Sequence, residues 1–394
     1  MDAKTFLCCI EAIKSSDIAV QEDAANAVAA LTEKHWLPQI LHHLDDPNPL
    51  VRRVMLWTLR NYIGHISYPQ FLAYLHDPDM AVREAALLLF MEGGSPACDA
   101  LVAAVSSEEE ELRFSAVQAL GQFRTPEAIV PLMHAAGAKN PDIREVAVLS
   151  LGVYADACVV PQLLAALADE PQIRLAALEG LRGRELSPED LVKVSGCLYD
   201  AEYPEIRAAA VAVLGPLVPE EIAADASSQV RRAVASAAAS PELLAHLCTD
   251  ADASVRMAAA EAIGKQGYVM EDVLLPLFSD AVPGVRRAAV TALASSRRPD
   301  VVAALINCLH DPKPGIQAAA ATALGEIGGD EVIAALTEAS KSGNAILRGI
   351  MKNALNAALK KIKIYTSFTL PCRHRDGVQD REFSAEPRGW CRRQ

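Results

Sequence analysis

The sequence predicts an all-α protein, an α-α superhelix of about twelve stacked helical hairpins. Three observations predict it. One polar phrase recurs along most of the 394 residues. Apolar residues make up 51% of the chain but aromatic ones only 5%, so the core is built from Ala, Leu and Val. Gly and Pro are scattered singly, as punctuation between many short elements. Small, helix-compatible side chains suit closely packed helices, and self-similarity at a fixed period is the signature of a repeat array.

The phrase is DPNPLVRR from Asp46, DPDMAVREAA from Asp77, DASSQVRRAV from Asp225, DADASVRMAA from Asp250, DAVPGVRRAA from Asp280 and DPKPGIQAAA from Asp311, with weaker copies between. Aligned on the Arg or its replacement, the register is Gln21, Arg52, Arg83, Arg113, Arg144, Arg174, Arg207, Arg231, Arg256, Arg286, Gln317 and Arg348. Intervals are 30 to 33 residues except two, of 24 and 25, which end at Arg231 and Arg256. In each unit a first helix, such as that from Ala128, ends in a polar turn. The turn Asp is a good N-cap for a second helix that begins near the Arg. Gly121, Gly152, Gly215, Gly264 and Gly325 are placed to close second helices as caps with positive φ. So short a hairpin cannot bury its apolar face alone, and stacking on its neighbours does so.

The DPxxxVRxxAAxAL phrase at about 30 residues resembles HEAT repeats, in the short bacterial form also found in phycobilisome lyases, over about residues 5–360. Residues 227–260, with the short intervals, are similar to the leucine-rich variant repeat, in which one helix of the pair is shortened. That family's N-terminal cysteine-rich iron–sulfur module is not carried over, since only the adjacent Cys8 and Cys9 are present. The expected organisation is an N-terminal arm at 1–215, short repeats forming a bend at 216–268, C-terminal repeats at 269–364 and a disordered tail at 365–394. Pro216 and Pro219 precede the short repeats, where Pro stops a helix. The tail has no helical stripe.

The resemblance implies a role for the recurring Arg. In HEAT-like stacks it packs between repeats and bonds the turn Asp of an adjacent one. Asp46, Arg52, Asp77, Arg83, Asp225, Arg231, Asp250, Arg256, Asp280 and Arg286 are the expected members of such a ladder. The positions left free are more informative about function. Offsets +2, +3, +6 and +7 from the Arg are nearly always apolar and face the core, whereas +1 and +5 vary and share one exposed face. The resemblance implies that second helices line the concave surface. Read along the chain, +1 and +5 give Arg53/Trp57, Glu84/Leu88, Phe114/Gln118, Glu145/Leu149 and Leu175/Glu179, each with one large apolar residue. Later repeats place small or polar residues there. A contiguous apolar strip marks a binding surface, and Trp is favoured at binding hot spots. Arg53, Trp57, Leu88, Phe114, Leu149 and Leu175 are therefore the expected partner-binding residues.

The remaining chemistry is sparse. The net charge is −13, and six of the 37 basic and four of the 50 acidic residues fall in 365–394, leaving 31 basic and 46 acidic residues in the body, a net of −15. That balance speaks against nucleic-acid binding, which needs a basic face. No stretch approaches the ~20 apolar residues of a membrane span. Nine Cys without a CxxC pair, five of them (Cys98, Cys158, Cys197, Cys248 and Cys308) at or near apolar helical positions, fit a reducing compartment. The N-terminus carries acids within too short an apolar run for a signal peptide, and a cytoplasmic location is expected. There is no GxSxG, P-loop or HExxH motif, and no His-Glu dipeptide such as HEAT-like deoxyhypusine hydroxylases use for iron. His35, His42, His43, His65 and His76 are expected at the surface, and Cys372, His374 and Cys391 are a weak metal set. No cofactor is called for. The expected function is a non-catalytic scaffold or adaptor holding another protein on the concave face of the N-terminal arm. The alternatives are a bilin-lyase-like or cofactor-loading chaperone, a HEAT-type DNA glycosylase and a metal-dependent hydroxylase.

Overall fold

Six of the second helices start from the same turn chemistry. The carboxylates of Asp46, Asp77, Asp225, Asp250, Asp280 and Asp311 each accept the backbone N–H two residues on, at 2.8–2.9 Å. The cap itself lies at that second residue, which corrects the expectation that the turn Asp is the N-cap. Asn48 caps Pro49–Leu59, accepting from Leu50 N–H at 2.9 Å, and Asp79 caps Met80–Glu92. The turn Asp bends the chain, and where the second residue is Asn48 or Asp79 its side chain receives the helix's orphan donors, whereas Ser227, Val282 and Lys313 make no such bond. Pro follows the cap in many copies, including Pro49, Pro141 and Pro314, where its missing N–H costs nothing.

In a computed structural model of the chain, residues 1–341 and 345–368 are described. Among them there is no strand, and the fold class is all-α, as the repeat predicts. The chain divides into two units, Met1–Gln266 and another from Gly267 onward. The second helices of the first unit are Ile18–Ala29, Pro49–Leu59, Met80–Glu92, Glu110–Phe123, Pro141–Gly152, Pro171–Leu181, Pro204–Leu214, Ser228–Ala237 and Ala253–Gln266. Those of the second unit are Pro283–Ala292, Pro314–Ile327 and Ala345–Phe368. First helices are shorter and often tighten into 3-10 geometry, as in Leu37–His42 with its flanking turns and in Tyr68–His76, where Pro38 and Pro69 interrupt regular bonding. In the repeats of short interval the first helices shrink to Glu220–Ala224 and Pro241–Leu247.

The second helices make the core. Offsets +2, +3, +6 and +7 are buried in Val54, Met55, Thr58 and Leu59, and again in Ala85, Ala86, Leu89 and Phe90. The glycines need correcting. Of the five expected as positive-φ caps only Gly215 has positive φ, at 58°. Gly121, Gly152 and Gly325 lie in helical backbone where neighbouring hairpins cross closely. A Cβ on Gly152 would stand 2.9 Å from Gly180 Cα, and one on Gly325 would stand 3.0 Å from Ala354 Cα. They leave space for a neighbour and do not stop the helix. The Ala345–Phe368 helix runs four residues into the segment assigned to the tail, and the rest of that segment lies outside the described residues.

Candidate functional site

The seams between hairpins are held by guanidinium–carboxylate forks. Arg52 donates Nε to Asp77 at 2.9 Å and Nη2 at 2.8 Å, and Arg231 does the same to Asp250 at 2.7 and 2.9 Å. Arg144–Asp169, Arg207–Asp225 and Arg286–Asp311 repeat the fork, and Arg174 reaches Asp200 through Nη2 at 2.7 Å. The third nitrogen, Nη1, ties the same Arg to its own turn by donating to carbonyls such as Asp46 O, Asp77 O, Asp250 O and Asp280 O from Arg52, Arg83, Arg256 and Arg286. Each fork therefore joins two successive turns. Asp46 takes Lys14 instead, at 3.2 Å, because its register position one repeat earlier is Gln21. The forks hold the carboxyls of Asp169, Asp225, Asp250 and Asp311 below the ordinary carboxylate range, against a smaller upward push from burial. At Asp77 burial is the largest single influence, yet the Arg52 fork and the Asp79 amide outweigh it, and its pKa is also lowered.

The +1 and +5 side chains emerge from the second helices away from these seams. Trp57 is 47% exposed, Leu149 43% and Leu88 38%, and Arg53 is exposed beside Trp57. Phe114 and Leu175 are partly covered. Between Trp57 and Leu88 lies a cleft of about 330 Å³, walled by Ala25, Asn26, Ala29, Arg53 and Glu84. The Arg60 guanidinium stacks 4.3 Å over the indole of Trp57 and is itself held by Glu92. One face of the ring is thus fixed by a cation–π contact. Asn26, at offset +5 from Gln21, and Arg60 were not singled out from the sequence. Extending the offset rule to the Gln copy finds Asn26, whereas Arg60, at +8, has no periodic signal.

A second groove, of about 890 Å³, runs over the second helices between Leu175 and Glu261. Its +1 and +5 residues include Ala208, Ala212, Arg232 and Met257. The small side chains that distinguish these repeats leave the floor open, and Glu179, Glu261 and Arg232 charge its walls.

Other candidate groups lie outside both clefts. His35, His42 and His65 are exposed, as expected, and His43 and His76 are partly covered, with the rings of His35 and His43 tilted against Trp36 and Phe6 at centroid distances of 4.8 and 5.7 Å. No three His, Cys, Asp or Glu among the described residues gather as a metal site. Cys372, His374 and Cys391 lie outside the described residues. Cys98, Cys197, Cys248 and Cys308 are buried, and burial pushes the Cys248 and Cys308 thiols up to about 11. Cys158 departs from expectation and is exposed, because it sits in a 3-10 turn that Asp156 caps. No helix among the described residues is long and apolar enough to cross a membrane.

The HEAT repeats family model matches residues 68–152 and 270–356, and the model for a single HEAT repeat matches 241–265. Among solved structures, the chain is similar to Kap95p, whose binding induces the switch loops of RanGDP to adopt the GTP-bound conformation. That match has a TM-score of 0.58 at 12% identity, over 92% of this chain and 62% of the other. It is also similar to Kap121p, at TM-score 0.54, 15% identity and coverages of 93% and 50%. Importin beta gives TM-score 0.53, 14% identity and coverages of 93% and 59%. The chain therefore spans between half and two thirds of these structures, and at such identities the likeness is one of fold. No curated protein matches the chain.

Proposed function

As a HEAT-repeat protein, the chain is a stack whose second helices keep one row of side chains free of the core, and we propose that it is a scaffold holding a protein partner along that row in the Met1–Gln266 unit. The Trp57–Leu88 cleft carries this reading. An indole half exposed to water, clamped on one face by Arg60 and walled by Leu88 on the other side of the cleft, is an unfilled apolar anchor site. Its volume, about 330 Å³, lies at the lower end of the range for binding pockets and suits one or two large side chains. Leu149, Phe114 and Leu175 extend the apolar row, with Glu84, Arg53 and Glu179 at its margins setting specificity. Kap95p, a structural neighbour of the same class, engages RanGDP, which supports a binding role for this architecture.

The test is affinity capture from the native cell lysate by the wild type and by a Trp57→Ala/Phe114→Ala double variant. We expect at least one captured protein to fall about tenfold or more, the effect of losing an aromatic anchor. Helical content and cooperative melting should persist, because Trp57 is half exposed and Phe114 only partly covered, so the double change should cost about 1–2 kcal/mol and not the fold. Equal capture by both proteins, or loss of the fold in the variant, would contradict the proposal.

A further inference from the structure

The ladder of forks has two vacant rungs. Turn positions aligned with Asp77 hold Ser107 and Ala138, and neither Arg83 nor Arg113 makes a fork to a carboxylate among the described residues. Both guanidiniums nonetheless keep the posture of their paired equivalents. Arg83 Nη1 donates to Asp77 O at 2.7 Å and to Pro78 O at 3.1 Å, and Arg113 Nη1 to Ser107 O at 2.7 Å and to Glu108 O at 2.9 Å. Arg144, whose rung is filled, makes the same pair of bonds to Ala138 O and Lys139 O. The edge bearing Nε and Nη2 is thereby free to address the next turn, and both Arg83 and Arg113 are partly exposed.

The two vacancies differ in charge. Ser107 retains the turn bond of the missing Asp, accepting Glu109 N–H at 3.2 Å, and is followed by four acids, Glu108 to Glu111. Ala138 is followed by Lys139 and by the helix cap Asn140, so the turn facing Arg113 offers no carboxylate. Of the acids nearest Arg113 in sequence, Glu110 is engaged by the side-chain amide of Asn140. The Arg113 rung is thus a preorganised bidentate donor edge, the arrangement that recognises a carboxylate, and the turn it addresses carries a lysine, Lys139, in place of an acid. Arg113 immediately precedes Phe114 of the proposed docking row in the sequence.

We propose that Arg113, with Lys139 in the turn it addresses, is a carboxylate-binding subsite that takes an acidic side chain of the docked protein partner. The assignment rests on the docking reading above and names the chemistry of the segment that docks: a bulky apolar residue near a Glu or Asp. Phosphate, the other planar-fork ligand, is an outcome of the test.

Peptides are selected on the full chain from a random dodecapeptide display library, and the affinity of a selected acidic peptide is read by fluorescence anisotropy. Expected is a consensus pairing an apolar anchor with an acid. Binding should weaken about tenfold in Ala138→Asp, which fills the rung from within, and change less than about twofold in the neutral Ala138→Asn. The same peptide with its acid changed to the amide should not distinguish wild type from Ala138→Asp. Unchanged affinity in Ala138→Asp, a consensus without acids, or displacement of the peptide by inorganic phosphate but not by acetate at equal ionic strength would each overturn the assignment. If Ala138→Asp binds normally while Trp57→Ala/Phe114→Ala does not, the subsite fails and the docking row stands. The reverse pattern sinks the docking row and leaves the subsite.

Discussion

Asp250→Ala is expected to destabilise the Met1–Gln266 unit by about 3 kcal/mol, within the range for breaking a largely buried ion pair. Asp250 has two roles at once. Its carboxylate takes both donors of the Arg231 fork and the Asp252 amide that turns the chain into the next helix. Removing it leaves a guanidinium whose side chain is only 17% exposed without its partner, and also loosens the turn. In a stack, each hairpin is stabilised by its neighbours, so the loss should broaden the melting transition as well as lower its midpoint. Asp250→Asn separates the roles by keeping the turn acceptor while discarding the charge, and should cost less. A dependence on pH follows. The folded pKa of Asp250 lies below its ordinary value of 3.8, so its contribution is fully present above pH 3.8 and is lost as pH falls through the folded value. Asp169, Asp225 and Asp311 act in the same direction. The melting midpoint of the wild type should therefore drop more steeply in that acid window than that of Asp250→Ala. Parallel curves would show that the fork contributes nothing.

Gly180→Ala should be nearly as damaging, for a reason unrelated to charge. Pro141–Gly152 and Pro171–Leu181 touch through their backbones at Gly152 and Gly180. A Cβ on Gly180 would lie 2.8 Å from Gly152 Cα and 3.2 Å from a Leu163 methyl. Neither helix can yield as the end of a side chain can. Intrinsic propensity alone would reward the change by up to about 1 kcal/mol, so the sign of the result isolates the packing. We expect a net loss of about 2 kcal/mol, typical of overpacking. Gly196→Ala is the control, because nothing lies within 4 Å of its Cβ position, and it should be neutral or slightly stabilising. A Gly180→Ala protein as stable as the wild type would show that the helices have room to separate.

The repeat was legible because one turn serves many seams. Asp, Arg and the +2, +3, +6 and +7 positions answer to the same local geometry each time, so their spacing alone places the core and the exposed row. Trp57, Leu88 and Leu149 could be assigned to that row from offsets, since a helical period fixes direction. The close-crossing glycines were not legible. A Gly near the end of a helix reads as a cap, and only the neighbouring hairpin's backbone, about 30 residues away in sequence, reveals that Gly152 is there to admit Gly180. The Leu175–Glu261 groove was missed because it is made by the smallness of Ala208 and Ala212, which sequence patterns register as absence of signal. The vacancy at Ala138 was visible in the alignment of turns but acquired meaning only when Arg113 was seen to keep its paired posture without a partner.

The central claim, that the exposed row is where a protein docks, is tested most directly at residue 57 itself. Of the three tryptophans, Trp36 is buried against Phe6 and Trp390 lies outside the described residues. A Trp36→Phe/Trp390→Phe protein therefore reports on Trp57 alone. Titrated with a display-selected peptide or a captured partner, its emission should move to shorter wavelength and its quenching by acrylamide should fall as the open face of the indole is covered. Saturating binding that leaves both the emission and the quenching of this indole unchanged would place the partner elsewhere on the molecule.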